Sequence, residues 1–162
     1  MFNSKYIKAY TSVEREFVED YLFHSEEYNF FDNIESAKED MELFKEESDF
    51  TYILDVNIKN NLFNIHKQEH RTLLYKHLPK ITNVGSNNIN KDLLMCYLMG
   101  NINKDQNEIE TEEDTDYLFS FPVKEIIKNL GYNGFISMFE QLSKYTVFQP
   151  NKNIQINKVI LK

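Results

Sequence analysis

The sequence predicts an α+β fold built on an antiparallel sheet, and three observations carry that expectation. Apolar and polar residues alternate with period two from Phe50 to Ile58. In the preceding segment Ala37, Met41 and Phe44 recur at i, i+4 and i+7, the stripe of an amphipathic helix. From Pro122 onward the chain reads as one helix followed by three strands joined by short turns. Connections that short join antiparallel neighbours, because parallel strands need a crossover of a dozen residues or more.

Composition bounds the answer. The chain has 162 residues, 41% hydrophobic and 27% charged, enough for one domain with a real core and too few for two of full size. Eighteen Lys+Arg against 26 Asp+Glu leave a net charge of −8. That balance argues against coating nucleic acid or an anionic membrane, so no direct nucleic-acid binding is expected. A single cysteine, Cys96, excludes a disulfide framework and a cysteine-based zinc site, and fits a reducing compartment. Met1 to Lys5 does not open like a signal peptide, and no apolar run approaches the ~18 residues of a membrane span. The expectation is a soluble cytoplasmic protein with no membrane partner. A 14% aromatic content argues against global disorder, and the abundance of Lys, Asn and Ile points to an AT-rich genome.

Taken in order, Lys5 to Tyr10 suits a first strand closed by Thr11-Ser12. Glu14 to Asp49 is acidic, with 14 carboxylates against three basic residues, and encloses Tyr28-Asn29-Phe30-Phe31, a strand by composition. Asp32 or Asn33 can cap the next helix, with Glu35 and Ser36 in its first turn. Then comes the alternating strand, in which Tyr52, Leu54, Val56 and Ile58 form the apolar face. Lys67 to Leu78 has a helical pattern and stops before Pro79; Asn83 to Asn90 suits a polar loop; Lys91 to Met99 suits a helix ended by Gly100. Asp105 to Asp116, with seven carboxylates and no basic residue, suits a solvated loop. Pro122 fits a helix's first turn and Gly131 its C′ position, with Val123, Ile126, Ile127 and Leu130 as the buried stripe. Phe135 to Phe139, Lys144 to Phe148 and Ile154 to Leu161 are the closing strands, with Gln149-Pro150-Asn151 turning between the last two.

Several constellations could carry chemistry. His66-Lys67-Gln68-Glu69-His70 has the H-x-x-E-H order of inverted zinc peptidases. On a helix His66 and His70 share a face to which His77 returns within about 20°. Two imidazoles at i, i+4 can hold zinc while the glutamate activates water. Leu73 lies on the same stripe, so a partly buried helix face accounts for the pattern as well, and no metal is the expected outcome. His24-Ser25 has no partner at a recognisable spacing. Cys96 sits in the apolar run from Leu93 to Leu98, where a buried structural thiol is expected. No G-x-G-x-x-G or P-loop is present, and four glycines leave little for a backbone phosphate cradle.

The segment Leu130-Gly131-Tyr132-Asn133-Gly134-Phe135-Ile136, followed by Tyr145-Thr146-Val147-Phe148-Gln149-Pro150, resembles the C-terminal end of ADP-ribosyltransferase-like domains of the phage and bacterial toxin type. There a "lGYDGf" turn leads through a strand to a "yvvFnP" strand. Ala9-Tyr10-Thr11-Ser12 occupies the place of the family's "yHgT" motif. Tyr28 to Phe31 with Asp32 to Ala37 resembles its "gfYfTdn...A" strand and helix, and Thr51 to Ile58 its core strand. The arrangement is similar to small anti-CRISPR ADP-ribosyltransferases encoded by phages. The resemblance covers the two ends of the chain and leaves Ile65 to Ser120 aside.

The resemblance implies a single domain over 1–162, with a split antiparallel sheet, peripheral helices and 65–120 as a variable helical and loop insertion. It implies NAD in the central cleft and transfer of ADP-ribose to a host protein, by a phage-encoded inhibitor or a bacterial effector. Breaking the nicotinamide–ribose bond passes through an oxocarbenium-like state, which a carboxylate stabilises. By position that carboxylate is Glu140, with Gln141 beside it, although a glutamate in such a turn is also an ordinary solvated residue. Phe31 or Tyr28 would stack on the nicotinamide, and either also suits the core. Tyr10, where the family commonly has His or Arg, would orient NAD with Thr11 and Ser12. His24 is a fallback for the histidine, too close to Phe30 for the usual spacing. Gly131 and Gly134 would allow the helix-to-strand turn. The alternative is a non-enzymatic inhibitor on a degenerate fold of this type, binding a host protein through its acidic segments.

Overall fold

The computed structural model describes residues 5–14, 25–43, 51–84, 87–98, 121–139 and 142–160. Its elements begin with β1 (Tyr6–Glu14), β2 (Glu27–Phe31), α1 (Ile34–Leu43), β3 (Thr51–Lys59) and β4 (Phe63–Asn64). They continue with α2 (Gln68–His77), β5 (Ile81–Val84), β6 (Asn87–Asn90), α3 (Lys91–Leu98) and α4 (Phe121–Asn129). The chain closes with β7 (Gly134–Phe139), β8 (Leu142–Phe148), the short α5 (Pro150–Asn153) and β9 (Ile154–Ile160). The fold is α+β with mostly antiparallel ladders. Two compact units are distinguished: Met1–Leu62 with Asn133–Lys162, and Phe63–Tyr132. No helix among the described residues is long and apolar enough to cross a membrane.

In the first unit the strands lie in the order β7–β8–β2–β1–β3–β9. β1 pairs with β3 along its whole length, from Tyr6 opposite Lys59 to Glu14 opposite Thr51. β2 pairs with β8 from Glu27 opposite Phe148 to Phe31 opposite Lys144, and β8 with β7. Between β1 and β2 the ladder has one register pair, Tyr10 opposite Phe31. Two three-stranded halves, β7–β8–β2 and β1–β3–β9, are thus joined at a single backbone pair. Side chains bridge where the ladder is missing. Thr11 Oγ1 donates to the Asn29 carbonyl (2.7 Å) and the Tyr28 hydroxyl to the Ser12 carbonyl (2.8 Å).

Alternation along the strands sorts the side chains between two faces. On one, Ala9, Val13, Phe30, Leu54, Val56, Ile58, Leu62 and Val147 are buried together, with Tyr28 and Tyr145 packed against them. On the other, Ala37 of α1 and Ile53 form a smaller buried pair against which Tyr10, Phe31 and Ile160 pack. β3 is therefore buried on both faces, whereas alternation alone predicts one apolar face. Asn33 starts α1 by accepting the Ser36 backbone N–H at its Oδ1 (2.8 Å). Of the predicted stripe, the Met41 side chain and Phe44 lie outside the described residues.

Three differences from the sequence expectation have physical causes. β1 does not stop at Tyr10 but runs through Thr11 and Ser12 to Glu14. Neither residue breaks a strand, and β3 offers partners as far as Thr51. β9 is not the third strand of a local meander. β8 is already flanked by β7 and β2, so β9 crosses to the open edge of β3, with Ile154 opposite Ile58 and Ile160 opposite Ile53. The reversal is made by Gln149 at φ +44, with Pro150 in the first turn of α5 and Asn153 Nδ2 donating to the Phe148 carbonyl (2.6 Å). Finally, the segment expected to be a polar loop over Asn83–Asn90 contributes to a hairpin, β5–β6, with Ile81 opposite Asn90. Among its described side chains Thr82 and Ile89 are buried, and the Asn-rich sequence around them carries no alternating apolar pattern.

The second unit packs Leu74 and Leu78, Leu94, Met95 and Leu98, and Val123 and Ile127 inward from α2 and the residue after it, from α3 and from α4. Cys96 is exposed, not buried as expected. With Leu94, Met95 and Leu98 as the inward stripe of α3, residue 96 falls on the opposite side. α4 ends in a Schellman motif: Tyr132 N–H donates to the Ile127 carbonyl (3.3 Å) and Gly131 N–H to that of Lys128 (2.9 Å), with Gly131 at φ +93. Gly134, in the first unit, serves a different purpose. A Cβ there would collide with the Thr146 carbonyl of the paired strand, so glycine is required for close approach rather than for the turn. Asp105–Asp116, Gly100 and His24 lie outside the described residues.

Candidate functional site

The residues that the resemblance singled out in β1 and β2 all fall at the junction of the two half-sheets, divided between its faces. Tyr10 and Ser12 share the α1 side with Phe31, which is Tyr10's register partner. Thr11 is buried on the opposite side, and Tyr28 packs its ring against that core with its hydroxyl on the Ser12 carbonyl. Those two hydroxyls hold the half-sheets together. The rings of Tyr10 and Phe31, both half-buried, remain on the α1 face.

Around that pair the sequence reading missed several polar groups. Ser12 Oγ donates to Asp40 Oδ2 (3.2 Å), linking β1 to α1. Burial of Asp40 pushes its carboxyl above the ordinary range, and the Ser12 hydrogen bond and the Lys144 ammonium partly oppose that rise. Lys144 stands opposite Phe31 on β8. Asp40 is three residues beyond Ala37 and so shares its helix face, a signal available in the sequence. On the other flank Asp55, only 4% exposed, is the register partner of Tyr10 on β3. Its Oδ2 lies 3.4 Å from Lys8 Nζ, and its Oδ1 accepts from Asn157 Nδ2 (3.1 Å). The ladder shifts register between Asp55 and Val56, and Asn157 is the extra residue of that bulge, its amide turned toward Asp55 and Asn57. The same carboxylate, with Tyr10, holds the Lys8 ammonium above its ordinary pKa.

Glu140 and Gln141 lie outside the described residues. Their sequence neighbours Phe139 and Leu142 pair with each other. One residue on, Ser143 accepts the Asp32 N–H at its carbonyl (3.2 Å) and donates its own N–H to Asp32 Oδ2 (3.4 Å). The start of β8 is thereby fixed to the end of β2, directly after Phe31. Burial, followed by the Asp32 charge, raises the pKa of the Tyr145 phenol at the same place.

The histidine motif in the second unit forms no ligand face. His66 precedes α2, so His66 and His70 are not one turn apart on a helix. His70 Nδ1 accepts the Asn64 backbone N–H (2.8 Å), and its ring lies against Phe63 and Tyr132, at 5.6 and 4.9 Å between centroids. Since a carbonyl can only accept, His77 Nδ1 donates to Leu73 (2.8 Å). Among the described residues no group of three or more His, Cys, Asp or Glu is arranged to hold a metal ion. No protein-family model matches the chain, and no curated protein or solved structure matches it either.

Proposed function

We propose that this chain is an NAD-dependent ADP-ribosyltransferase with a split-sheet core, transferring ADP-ribose to a host protein as a phage-encoded inhibitor or bacterial effector. The observation that carries the reading is the junction of the half-sheets, where β1 and β2 share one backbone pair and that pair is Tyr10 and Phe31. The chemistry of the groups there suits a dinucleotide. Phe31 offers an aromatic face for the nicotinamide. Tyr10 and Ser12 supply hydroxyls for orienting it. Lys144 supplies positive charge for a pyrophosphate in a chain of net charge −8. Glu140, which follows β7, is the carboxylate that stabilises the oxocarbenium-like state, with Gln141 beside it. Thr11 and Tyr28, expected from sequence to touch NAD, support the site by fixing the junction.

A melting experiment with NAD tests the binding step. A ligand at a hundredfold excess over its Kd stabilises the folded state by about 2.7 kcal/mol. For a chain of this size that raises Tm by about 5–10 °C. The second reading, a non-enzymatic inhibitor that binds a host protein, is favoured by Tyr10 standing where a His or Arg is usual. Absence of any shift at millimolar NAD selects it.

A further inference from the structure

We propose that Asp40 makes the site selective for a carboxamide, by fixing Ser12 as a hydrogen-bond acceptor, so that a dinucleotide ending in nicotinamide is taken and its nicotinic-acid counterpart refused. The inference rests on the reading of NAD as substrate and goes beyond it by naming what discriminates the ring substituent.

A serine hydroxyl carries one proton and two lone pairs. Here the proton is committed, because Ser12 Oγ donates to Asp40 Oδ2. What Ser12 still offers the α1 face is acceptor capacity, and the group that complements it is an N–H donor. A carboxamide has two such hydrogens, whereas a carboxylate has none and would also face the Asp40 charge. The arrangement is rigid at both ends. Ser12 lies within the full-length β1–β3 ladder, opposite Ile53. Asp40 is carried by α1 on the face of Ala37, which packs on Ile53 beside Tyr10 and Phe31. Ser12 is two residues from Tyr10 along the strand, on the same side of the sheet. An N–H of the bound carboxamide therefore meets an acceptor held in one orientation, while a misplaced carboxylate leaves that acceptor and itself unsatisfied.

Asp40 acts through Ser12 and is a positioning residue, so the test reads a ratio of affinities, which a purely structural role would not move. Isothermal titration of the full chain with NAD and with nicotinic acid adenine dinucleotide gives the two Kd values. The expected preference for NAD is about 10- to 100-fold, the range of a buried hydrogen-bond mismatch with added repulsion. Asp40→Asn removes the charge and offers Ser12 an amide that can donate as well as accept, so that the hydroxyl is no longer fixed as an acceptor toward the ligand. It is expected to narrow the preference below about threefold, mainly by tighter binding of the acid form. Ser12→Ala, checked for an unchanged circular dichroism spectrum, is expected to narrow it as well, and decides the matter if Asp40→Asn fails to fold. NAD bound without preference, or a preference unchanged in both variants, overturns the proposal and leaves the NAD reading standing. Failure of both dinucleotides to bind overturns the two together.

Discussion

Replacing Gly134 with alanine is expected to destabilise the protein through a collision with backbone. Gly134 opens β7 opposite Val147, and its missing Cβ would fall on the Thr146 carbonyl oxygen, with the carbonyl carbon and the Val147 Cα each at 3.0 Å. Overpacking costs about 1–3 kcal/mol when neighbouring side chains can turn aside. Here the obstacles are main-chain atoms of a strand held by β7 on one side and β2 on the other, so the upper end applies, about 3 kcal/mol. Alanine recovers about 0.5–1 kcal/mol of the entropy that glycine loses in a strand. The net loss is about 2–2.5 kcal/mol, a fall in Tm of about 4–10 °C for a chain of this length. Gly131→Ala is the control. Nothing lies within 4 Å of its ideal Cβ, so only φ +93 penalises it, at about 1–2 kcal/mol, and Gly131→Asn is expected to recover part of that. Calorimetric melting of the three variants settles the comparison. A Gly134→Ala protein as stable as the wild type would refute the close approach of β7 to β8.

Other regions make independent predictions. Asn33→Ala removes the acceptor for the Ser36 N–H and is expected to cost about 1 kcal/mol in urea denaturation, with Asn33→Ser close to wild type. His70 is held below its ordinary pKa of 6.5 by burial and, less, by Lys67, with Glu69 opposing. A depressed folded pKa means stability present above 6.5 and lost as pH falls through the folded value. Protonation also ends the acceptance of the Asn64 N–H. Melting curves between pH 7 and pH 5 are expected to fall more steeply for the wild type than for His70→Phe; parallel curves would remove His70 as the cause. Cys96 is exposed on α3, so a thiol reagent is expected to label it in the native protein as fast as in the urea-unfolded chain, where protection would show burial.

What the sequence discloses follows from how local each cause is. The cap at Asn33, the proline in the first turn of α4, and Gly131 at its C′ position each depend on a few neighbouring residues, and the structure has them where expected. The placement of β9 depends on β2 lying beside β8, a pairing across more than a hundred residues that no local pattern encodes. The same holds for Asp55. In sequence it is one polar residue of an alternating strand, and only the crossing of β9 with its bulged Asn157 makes it a buried, hydrogen-bonded carboxylate. The hairpin over residues 81–90 falls in a stretch rich in Asn, Gly and Ser that carries no alternating apolar pattern, and among its described side chains Thr82 and Ile89 are buried. At the site, the residues of β1 and β2 named from sequence do converge, but their assignment to two faces follows from strand parity once the Tyr10–Phe31 register is known. Asp40 and Lys144 join them through α1 and β8, elements that sequence reasoning located without saying what they touch.

Transfer of ADP-ribose is tested most directly by incubating the purified chain with labelled NAD and a bacterial lysate, in parallel with its Glu140→Gln variant. The expected result is a discrete protein band carrying covalent label, lost in the variant while its melting temperature is unchanged. Label transferred equally by Glu140→Gln would contradict the role of that carboxylate. No labelled band, together with no effect of millimolar NAD on melting, would contradict the transferase reading itself.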